Sequence, residues 1–239
     1  MGVIIQDKSA NYSEQFDAII SAADDAIAVC YFGDSSVPEA IRLGEYNATG
    51  NVGSIVPTGA GAVLLDDGGV QTEKDSGTSN PSRFVYSWKN TSAKCALLVV
   101  AHIAAGGGIA SFAGARIRLN NNRVMGVLAV DGTSRESSDA TPDEAVCFFL
   151  NSNESSYQNG LITSSGAITR VTYSGSDISF TKSDATCYIG GVGYSMSGFP
   201  GPNTFYSAAA FDRFLTDDEL IAQAQQLIRY ANTIGAEVA

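Results

Sequence analysis

Short apolar runs separated by Gly-, Asn- and Asp-rich punctuation dominate this chain, and only two stretches, one near each end, carry helical spacing instead. Ala26–Phe32 (A-I-A-V-C-Y-F) and Ala145–Asn151 (A-V-C-F-F-L-N) are continuous apolar runs of strand length, as buried strands are. Cys95–Ala105, the most apolar run, predicts a central strand covered on both faces. Arg83–Lys89 alternates around Phe84, Tyr86 and Trp88 and predicts a half-buried strand. Ile109–Leu119 and Arg123–Val130 predict a hairpin across Asn120, Asn121 and Asn122, because Asn tolerates the left-handed backbone of tight turns. Further strands are expected at Val3–Ile5, Ala40–Leu43, Val52–Val56 and Gly61–Leu65, and two or three more within Leu161–Phe180. N-A-T-G-N, P-T-G-A-G and D-D-G-G separate them at roughly 8–12-residue spacing, the rhythm of an all-β sandwich and not of β-α-β units.

The two helical stretches differ in how clearly they are written. Phe16, Ile19, Ile20 and Ala23 give Ser13–Ala23 one apolar face. Near the other end, Thr216 with Glu219 three positions on is a capping box, and Asp217 and Asp218 suit the positive end of a helix dipole. From there Leu220, Ala224, Leu227, Ile228 and Ala231 share a face, Gln223, Gln225, Gln226 and Arg229 lie mostly off it, and Gly235 is the expected stop. No repeat or Pro-rich linker divides the chain. The expected organisation is a docking or oligomerisation segment over 1–25 and one sandwich domain over 26–239.

Two phrases add a resemblance. The stretch from Cys187-Tyr188-Ile189-Gly190-Gly191 to F-D-R-F-L-T-D-D-E-L resembles the last hairpin of concanavalin-A-like (laminin-G-like) domains, which run into R-x-L-[ST]-x-x-E-[IL]; Arg213, Leu215, Thr216, Glu219 and Leu220 carry that pattern. The resemblance implies a jelly-roll β-sandwich and no single function, and the two helical stretches give it a short N-terminal helix and a C-terminal helix. Ile5–Ser13 (I-Q-D-K-S-A-N-Y-S) resembles a phrase that opens many bacteriophage particle proteins carrying such domains, and it reads equally well as a strand followed by a turn.

Charge narrows the partners. With 14 basic against 25 acidic residues the net charge is −11, so neither a nucleic acid nor an anionic membrane is an expected partner. No run reaches the length of a membrane span, and M-G-V-I-I-Q-D-K-S-A lacks the apolar core of a signal peptide, which points to synthesis in a cytoplasm. The sequons at Asn11, Asn47, Asn90 and Asn153 then read as coincidences of an Asn-rich surface. Cys30, Cys95, Cys147 and Cys187 sit far apart in apolar runs with no C-x-x-C spacing; buried free thiols are expected, with disulfides left open.

Catalytic patterns are missing. The alternating E-x-D-x-x-E of glycosidases on this fold does not occur, and Asp24-Asp25, Asp66-Asp67, Asp143-Glu144 and Asp217-Asp218-Glu219 all flank turns or a helix start. His102 is the single histidine and sits in an apolar run; G-Y-S-M-S-G misses a nucleophile elbow by one residue; and G-G-G and G-G-V-G match no phosphate-binding motif. The chain is therefore expected not to be an enzyme and to need no cofactor. Calcium is the exception the resembled family allows, with Asp66, Asp131, Asp139, Asn151 and Asn153 as loop oxygens in no fixed spacing. Glycan binding asks for an aromatic platform beside polar side chains. The aromatics weighed are Trp88, Tyr157, Tyr173, Tyr194 and Phe199, each with a plain alternative as a partly buried sheet residue. Tyr157 leads because N-S-N-E-S-S-Y-Q-N-G reads as the most polar loop, and Asn153, Asn159, Trp88 and Tyr194 complete the candidate ligand-binding set. The functional expectation is a non-enzymatic bacteriophage structural protein of the tail fibre, tail tip or decoration kind. It would sit in the virion against other virion proteins as a homo-oligomer, a trimer by preference, and bind host-surface carbohydrate. A glycan hydrolase or lyase, or a bacterial adhesion module, are the alternatives.

Overall fold

The apolar runs become strands in the computed structural model, which describes residues 25–32, 53–56, 62–64, 69–72, 83–87, 94–103, 108–112, 115–120, 123–128, 134–140, 144–153, 155–174, 186–189 and 203–239. In chain order these are β1 (Ala28–Tyr31), β2 (Gly53–Val56), β3 (Ala62–Leu64), β4 (Val70–Thr72), β5 (Arg83–Ser87), β6 (Cys95–His102), β7 (Gly108–Phe112), β8 (Ala115–Asn120), β9 (Arg123–Leu128), β10 (Ser134–Ala140), β11 (Val146–Ser152), β12 (Ser156–Ile162), β13 (Ile168–Ser174), β14 (Thr186–Ile189) and β15 (Asn203–Phe211), followed by helix α1 (Asp217–Thr233). One sheet runs β13-β12-β11-β6-β15-β4-β3, with β1 also paired to β15; the other runs β10-β9-β8-β7-β14-β5-β2. The described strand pairs are antiparallel. The result is the all-β sandwich that the strand rhythm predicts.

Period-2 alternation divides the central strands between two cores. Cys95, Leu97, Val99 and Ala101 of β6 join Phe148, Leu150, Phe205 and Ala208 in the core between the sheets, where Ile109, Ile117, Val124 and Ile189 of the second sheet meet them. Ala96, Leu98 and Val100 face the other way and pack with Cys147, Phe149, Phe211 and the apolar side of α1. β6, flanked by β11 and β15, is thus covered on both faces, as its unbroken apolar run predicts.

Helix α1 is set as its sequence writes it. Glu219 N–H donates to Thr216 Oγ1 at 3.4 Å and Thr216 N–H to Glu219 Oε2 at 2.7 Å, so both halves of the capping box are made. Leu220, Ala224, Leu227, Ile228 and Ala231 are buried, joined by Tyr230, and Gly235 takes φ +96° just past the end, a left-handed conformation that favours glycine. Ser207 Oγ donates to the Leu227 carbonyl at 3.1 Å, and Arg170 of β13 pairs with Asp217 through two nitrogens at 2.5 and 2.9 Å. Among the described residues no helix is long and apolar enough to cross a membrane.

The structure departs from the sequence reading in three places. Ile109–Leu119 is two strands, β7 and β8, paired from Phe112↔Ala115; F-A-G-A carries no polar turn residue, so the reversal is silent in the hydrophobic pattern. The last two strands are no hairpin: β14 pairs with β5 and β7 in one sheet and β15 with β1, β4 and β6 in the other. The polar stretches around Asp139 and Tyr157 are strands β10 and β12, not loops. β10 escapes notice because it edges its sheet, where polar and charged residues are the normal protection against stray pairing. The expected elements at Val3–Ile5, Ser13–Ala23 and Ala40–Leu43 lie outside the described residues.

Candidate functional site

Antiparallel pairing brings several chain reversals to one end of the larger sheet. β6 begins where β11 ends, with Cys95 opposite Ser152; β12 starts beside them, with Tyr157 opposite Ser152; and β15 ends with Phe211 opposite Ala96. The residues just outside these strand ends therefore converge. They line a cleft of about 460 Å³ formed by Lys94, Asn153, Ser155, Arg213 and Phe214.

Two asparagines shape it. Asn151 is fully buried and grips the backbone of Leu215 twice: its Nδ2 donates to the Leu215 carbonyl at 2.8 Å and its Oδ1 accepts from the Leu215 N–H at 3.0 Å. That clamp fixes the segment bearing Arg213 and Phe214 against the sheet end. Asn153 organises the opposite wall, since its Oδ1 accepts from Ser155 N–H at 2.9 Å, Ser155 Oγ at 3.2 Å and Ser156 N–H at 2.8 Å. Its acceptor is thereby used within the loop. Arg213 is held from behind: Nε donates to Asp25 and Nη1 to Glu219 Oε1 at 2.8 Å, with the guanidinium 5.8 Å from the Phe211 ring centre. Its Nη2 has no hydrogen-bond partner among the described residues. The hydrogen bond from the Thr216 backbone, and then the Thr216 hydroxyl and Arg213, hold the Glu219 carboxyl below the ordinary carboxylate range. Cys95, at the head of β6, is completely buried, and that burial, with Asp212 adding to it, pushes its thiol up to about 12, so it is no nucleophile.

The sequence-predicted ligand residues scatter. Asn153 lines the cleft. Tyr157 is only 1 % exposed, in β12 and not in a loop, and packs in the core between the sheets; as placed it offers no open platform. Asn159, 0 % exposed, points the same way, and neither polar atom of its amide has a hydrogen-bond partner among the described residues. Both crowd Gly126 of β9: a Cβ built there would meet Asn159 Oδ1 and Tyr157 Oη at 2.3 Å each. Tyr173 is half-buried on edge strand β13 against the same core. Trp88, Tyr194 and Phe199 lie outside the described residues.

The calcium candidates fare likewise. Asn151 serves as the Leu215 clamp, Asn153 as a loop organiser and Asp139 lies in β10, while Asp66 and Asp131 are outside the described residues. No group of three or more His, Cys, Asp or Glu that could hold a metal occurs among the described residues. Cys30, Cys95 and Cys147 are buried free thiols, as expected, and the T-D-D-E run caps its helix. Lys94, Ser155 and Phe214 carried no functional signal in the sequence, and Arg213 stood out only as part of the family-like phrase. A clue was present in F-D-R-F-L directly after an apolar strand, where a cation and an aromatic share the strand's exit.

No family model and no curated protein matches the sequence. Solved structures are similar in fold. The binding domain of botulinum neurotoxin serotype D superposes with a TM-score of 0.58 at 10 % identity, over 90 % of this chain and 53 % of that one. The receptor-binding domain of botulinum neurotoxin type G gives 0.55 at 10 % identity, over 86 % and 51 %. A botulinum neurotoxin type C structure, reported for cell entry that depends on two ganglioside molecules, gives 0.59 at 9 % identity, over 87 % and 53 %. The chain spans about half the length of the structures it matches, and what it shares with them is the architecture of an all-β sandwich.

Proposed function

We propose that this chain is a non-enzymatic glycan-binding module that works as part of a bacteriophage particle. The observation that carries the binding reading is the cleft at the end of the larger sheet, where Phe214 offers an apolar face beside Lys94, Arg213 and Asn153. An aromatic beside hydrogen-bonding side chains is what a sugar ring, apolar on its faces and polar at its rim, requires. The fold likeness supports the reading: those domains bind receptors, the type C structure concerns gangliosides, and another neighbour, of type DC, is in complex with SialylT. Their ligands come to this chain as a class of partner only, since the likeness covers about half of each.

The non-enzymatic reading draws on what the carboxylates do. Asp217 holds Arg170, and Glu219 and Asp25 hold Arg213, so these acids fasten α1 and the cleft wall. The particle reading draws on Ile5–Ser13 and its resemblance to phage openings, with 1–25 docking to other virion proteins and joining copies into a homo-oligomer, a trimer by preference. A glycan array probed with the wild-type chain and with Phe214→Ala tests the binding claim. Binding that the substitution removes is expected. A blank array, or release of shortened sugars from a bound glycan, overturns it. Detection of the chain in purified, nuclease-treated phage particles tests the location.

A further inference from the structure

We infer that Asp25 and Glu219 are positioning residues for the cleft: they hold the Arg213 guanidinium so that its Nη2 edge is set for the sugar before the sugar arrives, an inference that rests on the glycan-binding reading above. Asp25 reaches the cleft through strand pairing. β1 runs antiparallel to β15 from Ala28↔Ala210 to Tyr31↔Ser207, and the Ile27 N–H donates to the Ala210 carbonyl at 2.8 Å. Residues just before β1 therefore lie beside residues just after β15, and Asp25 meets Arg213, 188 positions further along the chain. Glu219 comes from the first turn of α1. Its Oε2 accepts the Thr216 N–H at 2.7 Å and the Thr216 hydroxyl at 2.9 Å, while its Oε1 accepts from Arg213 Nη1 at 2.8 Å. One carboxylate thus caps the helix and grips the cleft wall.

Positioning, and not stability, is what the two acids supply. Both ion pairs are well exposed, and such pairs add little to folding. A loose arginine side chain, by contrast, samples many rotamers that a ligand has to freeze. Of the five N–H donors of a guanidinium, one on Nε and one on Nη1 go to these carboxylates, and the Phe211 ring centre lies 5.8 Å from the guanidinium carbon. That leaves both N–H groups of Nη2 and one of Nη1, on a held fork in the cleft that Phe214 and Asn153 also line. Neighbouring hydroxyl oxygens on a sugar ring accept from such a fork while Phe214 takes the apolar face.

Calorimetry with the oligosaccharide that binds best on the array tests this in a double-mutant cycle. Asp25→Ala and Glu219→Gln should each weaken binding about two- to tenfold, the penalty for freezing one rotamer-rich side chain, with little change in melting temperature. Glu219→Gln keeps the capping box, since Gln serves at that position, but its amide nitrogen replaces the oxygen that faces Arg213. Arg213→Ala, with Phe214 still in place, should retain measurable binding, and in that background neither substitution should weaken it further. The Arg213 Nε–H resonance of the sugar-free protein is the second readout: sharp and slowly exchanging in the wild type, broadened in Asp25→Ala. Unchanged affinity in both single variants, or the same loss with Arg213 already removed, would overturn the inference and leave the glycan-binding reading standing. Failure of the wild-type chain to bind any sugar would sink both.

Discussion

Asn151→Ala is the substitution whose consequences the structure states most sharply. Asn151 is 0 % exposed, and its amide satisfies both the N–H and the carbonyl of Leu215, itself fully buried. Alanine leaves those two backbone groups without partners in a site closed to bulk water. Each buried group left unpaired costs about 1–3 kcal/mol, so the loss for the two should be about 2–6 kcal/mol, read from urea unfolding with an unchanged slope. Asn151→Asp separates the two bonds. One carboxylate oxygen still accepts from the Leu215 N–H, but the other confronts the Leu215 carbonyl, and a fully buried charge facing a carbonyl is costly. That aspartate should titrate above its unfolded value, so the variant is less stable than Asn151→Ala at neutral pH and regains ground as acid restores a proton that can be donated to the carbonyl. Hydrogen exchange at the Leu215 amide supplies a local readout, and glycan affinity should fall with stability because Arg213 and Phe214 hang from this clamp. A loss below about 0.5 kcal/mol in Asn151→Ala, with Leu215 still protected, would refute the reasoning.

Three other outcomes follow from the same contacts. Gly126→Ala should cost about 1–3 kcal/mol by overpacking, and much less in a Tyr157→Phe/Asn159→Ala background that removes the atoms a Cβ would strike; additive losses would show that the crowding is not there. The Arg170 hydrogen bond lowers the Asp217 carboxyl from its ordinary 3.8, and the Thr216 backbone lowers Glu219 from 4.5. Their contribution to holding α1 is therefore present above those ordinary values and is lost as pH falls below them; a stability profile flat from pH 5 to the acid limit would contradict it. Cys30, Cys95 and Cys147 should resist a thiol reagent in the native state and react only at the rate of global opening.

How much of this was legible in sequence depended on whether a residue's role was local. The capping box of α1, its buried face and the Gly235 stop depend on spacing within a few turns of helix, and all appear as written. β6 and β11 announce themselves because burial on both faces leaves no polar position to break the apolar run. β12 does not. Its inward positions include Tyr157 and Asn159, so a strand that faces the core on the Tyr157–Asn159–Leu161 side reads as a polar loop. The two-sheet separation of β14 and β15 is equally invisible, since adjacency in sequence suggests a hairpin and only long-range pairing decides otherwise. The cleft was beyond reach for the same reason: Lys94, Asn153 and Phe214 are far apart in sequence and become neighbours only because β6, β11 and β15 run antiparallel side by side.

The most direct test of the account is to map where a bound sugar touches the protein, by titrating the isotopically labelled chain with its best-binding oligosaccharide and following backbone amide shifts. The largest changes should fall on Lys94, Asn153, Ser155, Arg213 and Phe214, with little movement along β9 and β12. Shifts centred on any other surface, with these five residues unmoved, would contradict the assignment of the cleft as the binding site.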